Sequence, residues 1–140
     1  MLLADDDEDD RMLFRDAVAE INPLVSVQTV NDGEELMNYL ATFAVFLPEL
    51  LFLDLNMPLK NGFQCLEEIR QNELLQDLLI IIYSTTANPK EVEEVYNKGA
   101  NLFIKKPSSF TELRRILAEV FSLDLKQYVD TIQKEKFVVK

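Results

Sequence analysis

The sequence predicts an α/β domain: one doubly wound, five-stranded parallel sheet with five helices on its two faces. Three observations carry this. Short apolar runs alternate along the chain with segments of helical periodicity. The runs "LLFL" (residues 50–53) and "LLIIIY" (residues 78–83) show no polar alternation, as expected of parallel strands covered by helices on both sides. The 140 residues, 48% of them hydrophobic, contain no linker rich in Gly, Ser or Pro, so a single core fits the length.

The elements follow in order. Residues 1–4 form a short apolar strand that runs into the acidic string "DDDEDD". From Glu8, the residues Leu13, Phe14, Ala17, Val18 and Ile21 recur at helical spacing, and Asn22-Pro23 ends that helix. Val25, Val27 and Thr29 alternate as in a strand. Asn31-Asp32-Gly33 is a turn, and residues 34–43 read as the second helix. After the strand at 50–53 comes a loop marked by Pro58 and Gly62, then a helix at 63–71. The strand at 78–83 precedes Asn88-Pro89, an N-cap with proline at the first helical position, and that helix stops at Gly99. Residues 102–104 are the fifth strand. Phe110, Leu113, Ile116, Leu117, Val120 and Phe121 make the last helix amphipathic. The domain is therefore expected over residues 1–121, with 122–140 as an extension, helical or flexible.

Composition narrows the function. A net charge of −11 disfavours direct contact with nucleic-acid phosphates. No apolar run is long enough to span a bilayer, and no signal peptide opens the chain, so a cytoplasmic protein without membrane insertion is expected. The single Cys65 has no intrachain disulfide partner, which suits a reducing compartment.

Parallel strands end along one rim of the sheet, where sites in such folds form. This brings Asp5 and Asp6 after the first strand, Asp54 after the third, Ser84 after the fourth and Lys106 after the fifth to one place. Clustered carboxylates repel one another unless a cation holds them, and an all-oxygen donor set suits Mg²⁺. Asp54 would then be a nucleophile toward a phosphoryl group, with Lys106 supplying positive charge and Ser84 a hydroxyl.

At "LLADDD" (residues 2–7), "LDLNMPLKNG" (53–62), "YSTTA" (83–87) and "IKKP" (104–107) the chain resembles the receiver domains of two-component response regulators, the stand-alone CheY-like kind. The resemblance implies a flavodoxin-like fold with strand order 2-1-3-4-5. It implies Asp54 as phosphoacceptor, Asp6 as a direct metal ligand and Asp5 acting more through water. It also implies the Asn56 backbone carbonyl as a metal ligand, Ser84 as the hydroxyl that follows the phosphoryl group, and Phe103 as a switch aromatic. Lys106, preceding a proline that is often cis in the family, takes the lysine role. "YSTTA" offers three hydroxyls, of which counting back from Lys106 selects Ser84, and "IKKP" offers two lysines, of which the one beside Pro107 is preferred. The spacings Asp54 to Ser84 (30 residues) and Ser84 to Lys106 (22) fit consecutive βα units. Serine stands where threonine is frequent, and Phe103 lacks a tyrosine's hydroxyl.

Each residue also has a plainer reading. Asp9 and Asp10 read as solvated acids at a helix start. Ser84 could satisfy loop backbone, Lys106 could be a surface lysine, Phe103 belongs at least partly to the core, and Cys65 reads as inert. Position at the strand ends favours the site reading for Asp6, Asp54 and Lys106.

The function expected is that of a phosphoacceptor rather than a conventional enzyme. A histidine kinase or phosphotransfer protein donates the phosphoryl group, and the output is a protein contact with a downstream target, since residues beyond 121 leave no room for a DNA-binding domain. Many receivers dimerise through their fourth and fifth helices, so a homodimer belongs among the expected partners. Two other readings compete. One is an adaptor that works unphosphorylated. The other is a Mg²⁺-dependent phosphohydrolase of the haloacid-dehalogenase type, disfavoured because Asn56 stands where such enzymes carry an acidic residue.

Overall fold

A computed structural model describes residues 1–42, 47–124 and 136–139. Its strands are β1 (Leu2–Ala4), β2 (Gln28–Val30), β3 (Leu50–Leu53), β4 (Leu79–Ser84), β5 (Leu102–Lys105) and β6 (Val138–Val139). Its helices are α1 (Glu8–Ile21), α2 (Gly33–Thr42), α3 (Gly62–Gln71), α4 (Pro89–Asn97) and α5 (Phe110–Ser122), with a 3-10 turn at Glu73–Leu75.

The strands form one parallel sheet in the order β2-β1-β3-β4-β5-β6. The first five follow the expected order. The sixth corrects the expectation of five strands: Val138 and Val139 of the 122–140 extension pair in parallel with Phe103 and Ile104, while residues 125–135 of that extension lie outside the described residues.

Side chains alternate across the sheet, because successive residues of a strand point to opposite faces. Ala4, Leu53, Ile82 and Phe103 face the helices α2, α3 and α4, where Leu36, Leu40, Leu66, Ile69 and Val95 meet them. Leu3, Phe52, Ile81 and Ile104 face α1 and α5, against Phe14, Val18, Leu113 and Leu117. Both faces are covered, which is why the central strands read as unbroken apolar runs. Phe14, Phe52 and Tyr83 pack edge to face, with ring centroids 4.8 to 6.4 Å apart.

Two boundaries differ from the sequence reading. β2 covers Gln28–Val30 rather than starting at Val25; Val25 and Val27 pack against the α1/α5 side of the core ahead of the strand. The second helix is described to Thr42, and Phe43, assigned to it from sequence, lies outside the described residues. Among the described residues no peptide bond is cis, so the bond before Pro107 is trans. No helix among them is long and apolar enough to cross a membrane.

Candidate functional site

The C-terminal ends of β1, β3, β4 and β5 deliver the expected residues to one rim, each by a local device. After β1, the N–H of Asp5 donates to the Val30 carbonyl (3.1 Å), and Arg11 Nη1 donates to the Asp5 carbonyl (2.9 Å). The Asp5 carboxylate turns inward, accepting from the Asp7 N–H at 3.0 Å. Asp7 is the N-cap of α1 and accepts from the Asp10 N–H at 3.0 Å. Asp6 is exposed between them.

After β3, the Asp54 N–H donates to the Ala4 carbonyl at 3.0 Å, tying the two acidic strand ends together. Asp54 Oδ1 accepts from the Asn56 N–H at 3.2 Å. The loop then runs under α3, whose first residue, Gly62, donates its N–H to the Leu55 carbonyl (3.0 Å). A Cβ on Gly62 would overlap the Asp54 carbonyl oxygen and lie 2.7 Å from the Leu55 Cα. Asn61 caps α3 in a reciprocal box with Gln64, so the close approach is locked at both ends. Between them, Leu59 has φ 67° and is flanked by a 2.7 Å bond from the Lys60 N–H to the Pro58 carbonyl. This is a γ-turn of the strained hand.

After β5, Lys106 reaches back across the rim. Its backbone N–H donates to the Ser84 carbonyl at 2.7 Å. Its ammonium lies 2.8 Å from Asp5 Oδ2, 2.9 Å from Asp10 Oδ2 and 3.4 Å from Asp54 Oδ2, and 5.3 Å from the centroid of the Tyr83 ring. The contacts to Asp10 and Asp54 are hydrogen bonds. The contact to Asp5 is an ion pair without hydrogen-bond geometry, which leaves Asp5 Oδ2 buried with no hydrogen-bond partner. Asp10 thereby departs from its sequence reading as a solvated helix-start acid. It lies in the first turn of α1, and its carboxylate is drawn to the Lys106 ammonium.

The electrostatics follow from burial. Asp54 is 4% exposed; desolvation pushes its pKa up to about 6, with the Lys106 charge opposing and the Asp5 charge adding. Burial likewise raises Asp5, against Lys106 and the Asp7 N–H. For Lys106, burial works against the charge, but Asp5, Asp10 and Asp54 outweigh it and hold its pKa above that of a free lysine. Carboxylate oxygens of Asp5, Asp6 and Asp54 lie within 4.8 Å of one another. Three hard oxygen donors, one of them buried and lacking a hydrogen-bond partner, are a donor set that fits Mg²⁺.

Ser84 ends β4 fully buried, and its hydroxyl oxygen accepts from the Thr86 N–H at 3.4 Å. Phe103 stands apart from the carboxylates, fully buried on β5 in the α2/α3/α4 side of the core. Cys65 is buried, donates its thiol to the Gly33 carbonyl (3.6 Å), and has its pKa pushed up to about 11 by burial, so it stays a thiol.

Known proteins resemble this chain in sequence and fold. A probable methanogenesis regulatory protein of Methanothrix harundinacea, FilR2, is 25% identical over 86% of the chain and 79% of the relative. The crystal structure of a phosphorylated cyanobacterial phytochrome response regulator, RcpA, superposes with a TM-score of 0.79 at 28% identity, over 93% of this chain and 92% of that one. The Mn²⁺-bound response regulator Rcp1 shares the fold, with a TM-score of 0.75 at 24% identity over 94% and 95%. The response regulator receiver domain family matches residues 1–118. With acidic residues at the ends of β1 and β3 and a lysine after β5 gathered on the rim of a flavodoxin-like sheet, the chain belongs to the response regulator receiver domains, the phosphoacceptor modules of two-component signalling.

Proposed function

We propose that this chain accepts a phosphoryl group on Asp54 from a phosphohistidine of a histidine kinase or phosphotransfer protein, and signals through protein contacts in the cytoplasm. The observation that carries the reading is the buried Lys106 ammonium, 3.4 Å from Asp54 Oδ2 and shared with Asp5 and Asp10, of which Asp5 Oδ2 lacks a hydrogen-bond partner.

In the transfer, an Asp54 carboxylate oxygen bonds to phosphorus as the P–N bond breaks, and the imidazole leaves with that electron pair. With a pKa of about 6, Asp54 is ionised at neutral pH yet more basic than a solvated aspartate, which favours nucleophilic attack. The N–H of Asn56 fixes one oxygen of the carboxylate, leaving Oδ2 toward Lys106. Asp5, Asp6, Asp54 and the Asn56 carbonyl would hold Mg²⁺, which when bound neutralises the crowded carboxylates and the incoming phosphoryl oxygens. That a response regulator of the same fold, Rcp1, is Mn²⁺-bound is in keeping with a divalent ion in this chain.

After transfer, Lys106 and the Ser84 hydroxyl turn toward the new oxygens, because an aspartyl phosphate adds charge that an ammonium and a hydroxyl stabilise. Ser84 and Phe103 lie on neighbouring strands, Phe103 paired with Ile82 and Lys105 with Ser84. A shift at Ser84 therefore reaches Phe103 and the surface of α4, β5 and α5, a population shift of the kind phosphorylation drives. The unit carrying the activity is read as residues 1–121, with 122–140 as an extension.

The test is intact-protein mass spectrometry after incubation with phosphoramidate or acetyl phosphate, with and without Mg²⁺, on the wild type and on Asp54→Ala. One phosphoryl adduct that needs both Mg²⁺ and Asp54 is expected. No adduct under conditions that load a control receiver overturns the reading in favour of an unphosphorylated adaptor. Catalytic release of phosphate from small esters overturns it in favour of a hydrolase.

A further inference from the structure

We infer that Asp10 is a positioning residue that restrains phosphorylation: together with Asp5 it draws the Lys106 ammonium toward the α1 side of the rim, in competition with Asp54. This rests on the reading of Asp54 as phosphoacceptor and adds a residue that controls how readily it is loaded.

The geometry carries the inference. Three carboxylates surround the Lys106 ammonium, and the two nearer ones, Asp5 Oδ2 at 2.8 Å and Asp10 Oδ2 at 2.9 Å, lie on the β1–α1 side, against 3.4 Å for Asp54 Oδ2; of those two, Asp10 is the one with a hydrogen bond to the ammonium. Asp10 is held in place from below. Its N–H is fixed by the Asp7 cap (3.0 Å), and it sits in the first turn of α1, which Arg11 ties to the Asp5 carbonyl (2.9 Å). Its side chain is 31% exposed while that of Lys106 is 8% exposed, so the ion pair is partly shielded from solvent and salt.

Two consequences point the same way. Phosphoryl oxygens on Asp54 must compete with the Asp10 carboxylate for the same ammonium. Asp10 also adds a negative charge to a rim already holding Asp5, Asp6 and Asp54, and so repels an anionic phosphoryl donor. Exchanging Asp10 for a neutral isostere removes both effects at once.

The test compares wild type, Asp10→Asn, Asp10→Glu and Asp9→Asn for the rate of phosphoramidate loading at saturating Mg²⁺, by mass spectrometry over time. Asp9→Asn removes the same charge one residue away, on an exposed side chain. We expect Asp10→Asn to load about three- to tenfold faster, the size of effect that loss of a partly shielded ion pair produces. Asp10→Glu, which keeps the charge, should stay close to wild type, and Asp9→Asn should gain less than twofold. A second readout does not depend on loading: the Lys106 side-chain ¹⁵N resonance in the Mg²⁺-free protein should move in Asp10→Asn and not in Asp9→Asn. Loading of Asp10→Asn at the wild-type rate or slower, or equal acceleration by Asp9→Asn, overturns the inference while leaving Asp54 as the acceptor. Failure of the wild type itself to load overturns the phosphoacceptor reading instead, and the resonance alone then decides whether Asp10 holds Lys106.

Discussion

The backbone N–H of Phe103 donates to the carbonyl of Phe137 at 3.0 Å, across 34 residues of chain. The two rings lie 6.3 Å apart, and Phe137 meets Tyr96 of α4 edge to face at 5.2 Å. The C-terminal strand therefore does more than extend the sheet. It covers the β5 edge, which would otherwise expose unpaired backbone groups, and it buries Phe137 to 1% exposure in the α4 side of the core.

Truncating that ring should cost less than the same change in the middle of the sheet. An interior Phe→Ala typically costs about 3–5 kcal/mol, but a two-residue edge strand such as β6 can detach as a unit, which caps the loss at its docking free energy. We expect Phe137→Ala to lower stability by about 1–3 kcal/mol, and deletion of residues 136–140 to lower it by the same amount. Urea unfolding measures both. Losses of very different size would mean that the segment does not dock as one unit.

Asp54 gives the metal-free protein a pH signature. Its pKa rises from 3.8 in the unfolded chain to about 6 in the fold, chiefly through burial, so the folded state binds the proton more tightly. The stability this gives is fully present below about pH 4 and is lost as pH rises through about 6. In EDTA, Asp54→Asn should therefore gain on the wild type across that window, reaching about 1–3 kcal/mol at pH 7. Parallel pH–stability curves for the two proteins would show that burial of Asp54 does not govern its ionisation.

Asp54 was legible in the sequence because strand-end position is a strong constraint: an aspartate directly after "LLFL" and a lysine after "LFI" must emerge at the same rim of a parallel sheet, while Lys106 rather than Lys105 was selected by its place beside Pro107 in the resemblance. Asp10 was not. In a string of six acidic residues nothing in the sequence distinguishes the one that the first turn of α1 carries to Lys106. β6 was missed for a different reason. Two paired residues show no periodicity, and only the apolar triplet Phe137-Val138-Val139, two of its members β-branched, stood out in a charged tail. The order of the strands came from resemblance, since periodicity identifies strands but does not rank them.

Gly62 fixes how closely α3 approaches the phosphoacceptor strand. A Cβ there would run into the Asp54 carbonyl oxygen and the Leu55 Cα, both backbone atoms that cannot swing aside. Gly62→Ala should destabilise by about 1–3 kcal/mol through overpacking, and should slow phosphoramidate loading by displacing the Asp54 loop. Thermal denaturation and the loading assay separate the two effects. Normal loading in a destabilised Gly62→Ala protein would place the strain on α3 rather than on the Asp54 loop.

Asp6 is the rim carboxylate whose removal should affect the metal and little else. It is exposed, whereas Asp5 is buried against Lys106 and the Asp7 N–H. In the metal-free protein, Asp6→Asn should change stability by no more than about 0.5 kcal/mol, as surface substitutions usually do. With Mg²⁺ present, loss of one of the four oxygen donors proposed for it should weaken binding at least about tenfold, so the stabilisation that Mg²⁺ gives the wild type should appear in Asp6→Asn only at correspondingly higher concentration. Thermal midpoints measured across a Mg²⁺ titration read both quantities from one experiment. If Asp6→Asn responds to Mg²⁺ at the wild-type concentrations, Asp6 does not hold the ion, and Asp5, Asp54 and the Asn56 carbonyl must carry it without help from Asp6.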